Sequence, residues 1–143
     1  MSRIDTAGYL ARLRVPPQGP PSVEGLRRLH IAHVEQVPYQ NLEIQLGRPT
    51  TVNPIEAADR ILRRRGGYCF HLNGSFSALL GELGYTVTRH LGGVQRIAED
   101  GARVNGGHMA LTVSGLPDET CPDGCVARRC RPRFRAARAR AAS

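Results

Sequence analysis

At Tyr85 the apolar spacing of this chain changes from a helical period to an alternating one, and that switch limits the folds open to it. Before it, four stretches read as helices. Asp5 can cap a short helix through Tyr9, Leu10 and Leu13, ended by the proline-rich linker at 15–21. Ser22 reads as the N-cap of a second helix, with Leu26, Leu29, His33 and Val37 along one face and Pro38 as its stop. Residues 39–52 mix apolar and polar positions without a period and predict an irregular or short extended piece. Asn53 and Pro54 supply a cap and a first-turn proline for a third helix with Ile55, Ala58, Ile61 and Leu62 as its stripe, closed by Gly66 and Gly67. Phe70, Leu72, Phe76, Leu79, Leu80 and Leu83 then give a fourth helix a broad apolar face, with Gly84 as its C-terminal cap. Cys69 falls in the first turn of that helix.

Beyond the switch, Tyr85, Val87 and Leu91 alternate with polar residues as a strand does. A second strand at 108–113 puts His108, Ala110 and Thr112 on one face and Met109, Leu111 and Val113 on the other. Glycine pairs at 92–93 and 106–107 mark turns. The expected class is α+β: a helical domain over 1–84, the opening strands of a β domain over 85–119, and a tail over 120–143. Two strands are too few to close a sheet.

At 143 residues and 41% hydrophobic composition, the chain can build one ordinary core. All 20 of its basic residues are arginine. The formal charge of +8 is unevenly placed, with 13 arginines against 11 acids up to Glu119 and 7 against only Asp123 in the last 24 residues. That tail has no Leu, Ile or Met and no apolar period, so it is expected to be unstructured. Read as a nucleic-acid arm, it lacks a stacking platform, having Phe134 as its single aromatic. Read as a zinc site, Cys121, Cys125 and Cys130 are three ligands where four are usual, without CxxC spacing. Neither a nucleic-acid partner nor a metal is expected. No run of 18 apolar residues and no leader-like apolar stretch occurs, so a reducing cytoplasm, without membrane attachment, is the expected setting.

Cys69 is then the one cysteine of the body. Following two glycines at a helix start, it sits where unpaired amides and the helix dipole stabilise a thiolate, and where Arg63, Arg64 and Arg65 add positive charge. The glycines would let another molecule approach closely. The alternative is a small buried hydrophobe at a helix start. A nucleophilic cysteine needs a base, and His108, heading an apolar strand with Ala110 next on its face, suits a position pointing into a cleft. The alternative there is a surface histidine at a strand start. His30, His33, His71 and His90 are weaker candidates.

The stretch Arg64-Arg65-Gly66-Gly67-Tyr68-Cys69-Phe70-His71-Leu72-Asn73 resembles the RRGGYCFExN signature of the arylamine N-acetyltransferases. Val37-Pro38-Tyr39-Gln40-Asn41-Leu42 resembles their VPFENL segment, and the strand at 108–113 their catalytic-histidine strand. The resemblance covers residues 1 to about 118. It implies a helical bundle followed by a β-barrel, incomplete here, with a papain-like cysteine and histidine and then an α/β lid. It implies Cys69 as the acetyl-accepting nucleophile and His108 as its base. Acetyl-CoA is the implied acetyl donor, and an arylamine, hydrazine or N-hydroxyarylamine the acceptor, in a ping-pong transfer. His71 and Gln40 stand where the family usually has glutamate, which puts a supporting ion pair with a neighbouring arginine at issue.

The resemblance also implies an aspartate in a WxVDVGFG-like strand after His108, to hold the imidazole in its working tautomer. The chain has no tryptophan, and Asp118 and Asp123 lie among Pro, Glu and Gly. Back-translating residues 125–133 and reading one base later can spell Ala-Trp-Leu-Val-Asp-Val-Gly-Leu, with the aspartate codon straddling Arg129 and Cys130. The resulting hypothesis is a single-base insertion between about Leu116 and Gly124. A chain so interrupted would be an inactive or poorly folded fragment, with turnover reduced on the order of 10³ to 10⁴ for want of the carboxylate. The gene's nucleotides test this directly. The later frame should encode Trp-Leu-Val-Asp-Val-Gly, and an immediate stop codon there would end the idea.

Overall fold

Three caps set where the helices begin, in a computed structural model that describes residues 3–48, 50–92 and 107–116. Asp5 accepts from the Gly8 amide and starts α1, Thr6–Leu13. The Ser22 hydroxyl accepts from the Gly25 amide and starts α2, Val23–Gln36. Asn53 accepts from the Ile55 and Glu56 amides and, with Pro54 in the first turn, starts α4, Pro54–Leu62. The expected irregular stretch at 39–52 instead contains a four-residue helix α3, Leu42–Gln45, with none of its residues buried. Its turn rests on main-chain bonds to Asn41, a local arrangement that leaves no apolar period in the sequence. Helix α5, Cys69–Glu82, ends as expected, with Gly84 at φ +87.

Strands β1, Thr86–Gly92, and β2, His108–Ser114, pair antiparallel, with His90 opposite Ala110 and Gly92 opposite His108. The expected two faces are present. Met109 and Val113 are buried on the inner one. Leu91 breaks the pattern of its strand, being 63% exposed. It lies opposite Met109 at the far end of the ladder, beyond the reach of the helical core. The core itself joins α1, α2, α4 and α5 through Leu13, Leu26, Leu29, Ile61, Leu79 and Leu80, with Tyr85 and Val113 closing it from the sheet. The 93–106 turn region and the tail with Cys121, Cys125 and Cys130 lie outside the described residues, as does the expected barrel continuation. Among the described residues no helix is long and apolar enough to cross a membrane.

A directed polar chain runs through this core. Ser75 donates to the Leu72 carbonyl at 3.1 Å, so it accepts from the Tyr9 hydroxyl at 2.9 Å. Tyr9 has then used its one proton, so the His33 Nε2 group, 3.0 Å away, is the donor. His33 therefore carries a proton on Nε2, and its ring lies 4.7 Å from that of Phe76. Three helices are tied by one path: α1 through Tyr9, α2 through His33 and α5 through Ser75.

Burial pushes the His33 imidazole down to about 3, with the charges of His30 and Arg12 acting the same way. Burial also lowers His30 and His71. An unfolded chain takes up these protons near pH 6.5 and the folded one does not. Stability is thus fully present above about pH 6.5 and declines as the pH falls toward 3, with His33 contributing at most ~1.4 kcal/mol per pH unit and His30 and His71 acting in the same direction. Urea unfolding across that window should show this slope. His33→Gln, which keeps a donor at the same place, should flatten part of it; an unchanged slope would remove His33 from the explanation.

Candidate active site

The loop ahead of α5 is fastened by the segment that leaves α2. The Gly67 amide donates to the Pro38 carbonyl at 3.3 Å, and the Gln40 amide donates to the Gly67 carbonyl at 2.9 Å, a parallel bridge of main chain. The glycines permit that approach. A Cβ on Gly66 would collide with the Pro38 carbonyl, and one on Gly67 with the His71 side chain. The Cβ positions of these glycines are thus taken up by Pro38 and His71.

Side chains reinforce the bridge. The Gly66 carbonyl accepts from Arg60 Nε at 2.6 Å and from the Gln40 amide nitrogen at 3.3 Å. Arg60 also pairs with Glu43 at 2.6 Å, and Arg65 approaches the same carboxylate at 4.0 Å. Arg60 holds the Glu43 carboxyl below the ordinary glutamate range. The ion pair put at issue by Gln40 and His71 therefore exists with a different acid. Sequence reasoning missed both Glu43 and Arg60. Glu43 lies in the stretch without period, and Arg60 on the polar side of α4, where an arginine reads as solvated.

Cys69 opens α5 behind Tyr68, whose side chain caps nothing, so the first-turn amides have no capping partner from that residue. The thiol is free and 8% exposed. Its hydrogen-bond partner is the Gly107 carbonyl, at 3.9 Å. One turn along the helix, Asn73 Nδ2 donates to the Met109 carbonyl at 2.6 Å. These contacts bring Cys69 to the residues on either side of His108. No hydrogen bond among the described residues joins the His108 ring to the thiol. His108 is half-buried on the sheet face that also carries Ala110 and Thr112, and Thr112 bonds His90 at 2.8 Å.

His71 is taken up elsewhere. It is buried, its Nε2 meets the Thr51 carbonyl at 2.9 Å, and Tyr68 stands edge-on to it at 4.5 Å. Among the described residues its Nδ1 has no partner. Tyr39, between the two residues that make the bridge, is 65% exposed, and its hydroxyl is raised by partial burial. A cavity of about 400 Å³ beside this loop is lined by Glu43, Thr51, Arg60, Arg63, Arg65 and His71. Cys69 does not line it.

Breaking the acid–arginine contact should loosen the loop without unfolding the protein. For Glu43→Gln a small global cost is expected, since the pair is partly exposed and screened by water. Amide hydrogen exchange at Gln40 and Gly67 should quicken. Unchanged exchange there would show that the glycines alone fix the loop.

The profile of the family described as N-acetyltransferase matches residues 22–120. An arylamine N-acetyltransferase / N-hydroxyarylamine O-acetyltransferase of Salmonella typhimurium is 42% identical over 87 residues, 60% of this chain and 31% of that protein. The arylamine N-acetyltransferase of Mycobacterium tuberculosis is 39% identical over 88 residues, again 60% and 31% of the two chains. The solved structure of the M. tuberculosis enzyme superposes with a TM-score of 0.72 at 34% identity, covering 82% of this chain and 44% of that one. The Mycobacterium marinum enzyme, solved in complex with CoA, gives 0.70 at 34% identity, with 80% and 42% covered. The chain thus spans less than half the length of the relatives it matches.

Proposed function

Because the chain belongs to the N-acetyltransferase family, we propose that it transfers acetyl groups from acetyl-CoA to aromatic amines, hydrazines or N-hydroxyarylamines through Cys69. The observation that carries this reading is the placement of a lone, nearly buried thiol at the start of α5, within hydrogen-bond reach of the residue preceding His108. Supporting it, the relatives named above are arylamine N-acetyltransferases, and one of them was solved with CoA.

In the first half-reaction the Cys69 sulfur attacks the thioester carbonyl of acetyl-CoA, with His108 taking the thiol proton. The C–S bond to CoA breaks, CoA leaves as its thiol with that proton, and the acetyl group remains on Cys69 as a new thioester. In the second, the amine nitrogen attacks the acetyl carbonyl and His108 takes the proton the nitrogen gives up. The sulfur departs as thiolate, and the enzyme is restored. The first-turn amides of α5 stabilise that thiolate, which is the better leaving and attacking form.

A second reading is favoured because, among the described residues, the thiol bonds the Gly107 carbonyl and no hydrogen bond joins it to the His108 ring. On it, Cys69 takes the acetyl group but passes it on slowly. One experiment separates the two. Purified protein incubated with acetyl-CoA should gain one acetyl mass, mapped to Cys69 and lost in Cys69→Ala. Adding an arylamine should then discharge it with repeated turnover. Acetylation without discharge supports the second reading, and no acetyl on Cys69 overturns both.

A further inference from the structure

We propose that Asn73 is a positioning residue, whose amide holds β2 against α5 so that His108 is presented to Cys69. The inference rests on the Cys69–His108 reading above and concerns what brings the two residues together.

Hydrogen bonds at two places join the start of α5 to the start of β2. One is the thiol on the Gly107 carbonyl, the other the Asn73 amide on the Met109 carbonyl. Their spacings match. Cys69 and Asn73 are four residues apart on the helix, a rise of ~6 Å, and so lie on one face. Gly107 and Met109 are two apart on the strand, a rise of ~6.7 Å, and alternate strand carbonyls point the same way. Helix and strand thus meet as two rungs, and His108 is the residue between them.

The rungs are unequal. A thiol is a weak donor, and 3.9 Å is long, so the first rung cannot set the register by itself. Cys69 must also leave that carbonyl when it reacts. The Asn73 bond, at 2.6 Å between an amide donor and a main-chain acceptor, is the one that persists. The sheet offers little else. β2 has one partner strand among the described residues, and Met109, though buried, lies outside the main core cluster. Without the Asn73 bond, the described contacts between this helix and the end of β2 that bears His108 are the long thiol bond and apolar packing, which fix distance better than register.

The test is the alkylation rate of Cys69 by iodoacetamide at pH 7 on the full chain, followed by peptide mass so that the tail cysteines do not contribute. Melting temperature is measured alongside. His108→Gln should slow alkylation about tenfold by withdrawing the base. Asn73→Ala and Asn73→Asp should each slow it by most of that factor; the second is isosteric and cannot donate when ionised. Asn73→Gln, which keeps the donor, should stay within about threefold of the parent protein. The double variant Asn73→Ala, His108→Gln should be no slower than His108→Gln alone, since both act through one histidine. A rate unchanged by His108→Gln overturns the cysteine–histidine pairing and the clamp with it. A slow His108→Gln beside parent-like rates for Asn73→Ala and Asn73→Asp overturns the clamp alone. So does a loss at Asn73→Gln equal to that at Asn73→Ala, or an additive double variant.

Discussion

Everything at the candidate site depends on a main-chain contact: residues 38–40 lying against Gly66 and Gly67. At Gly66 a Cβ would strike the Pro38 carbonyl, and at Gly67 the His71 side chain, so both positions of the loop need glycine. Once the bridge is made, the path into α5 is fixed, because Gly67 is two residues from Cys69 and its carbonyl and amide are both in use. The thiol then projects from a defined helix start instead of from a free loop. Arg60 adds a side-chain strut to the Gly66 carbonyl and is itself held by Glu43. Main chain sets the geometry, and charge stiffens it.

The helical core gives that loop something rigid to be fastened to. Tyr9, His33 and Ser75 connect α1, α2 and α5 in a path with a single allowed proton order. Ser75 lies six residues after Cys69 on the same helix, so the nucleophile's helix is anchored at its first turn by the glycine loop and again, at Ser75, by the buried chain. The polar groups are satisfied within the core, which removes the desolvation penalty that would otherwise oppose burying them.

Much of this was legible in the sequence, for identifiable reasons. The caps at Asp5, Ser22 and Asn53, the stop at Gly84 and the two strand faces were readable because each follows from a local rule of spacing or side-chain reach. The importance of the VPYQNL and RRGGYC stretches was readable only as a resemblance, since neither has a period. What could not be read was their mutual contact. The glycines suggested an opening to a ligand, and nothing local indicates that Pro38 and His71 take up their Cβ positions. Glu43 and Arg60 were hidden for the same reason, being 17 residues apart and meaningful only after the loop has folded. Leu91 obeyed the strand alternation yet stayed exposed, because alternation predicts a face and not what covers it.

The segment that makes the bridge has committed its backbone inward, and this leaves its side chains facing out. Tyr39, Leu42, Ile44, Leu46 and Val52 are all at least half exposed, an unusual concentration of apolar surface in one stretch of chain. Ordinary packing would bury such residues, but Pro38 and Gln40 are occupied with Gly66 and Gly67, and α3 is too short to turn a face into the core. The apolar surface therefore begins at Tyr39, which bridges Gly67, two residues before Cys69. For the proposed chemistry that coupling is apt. A weakly basic aromatic amine offers little charge to recognise, so its acceptor site must work by apolar contact close to the sulfur. The bridge that fixes the path into α5 also leaves the side chains of its own segment exposed.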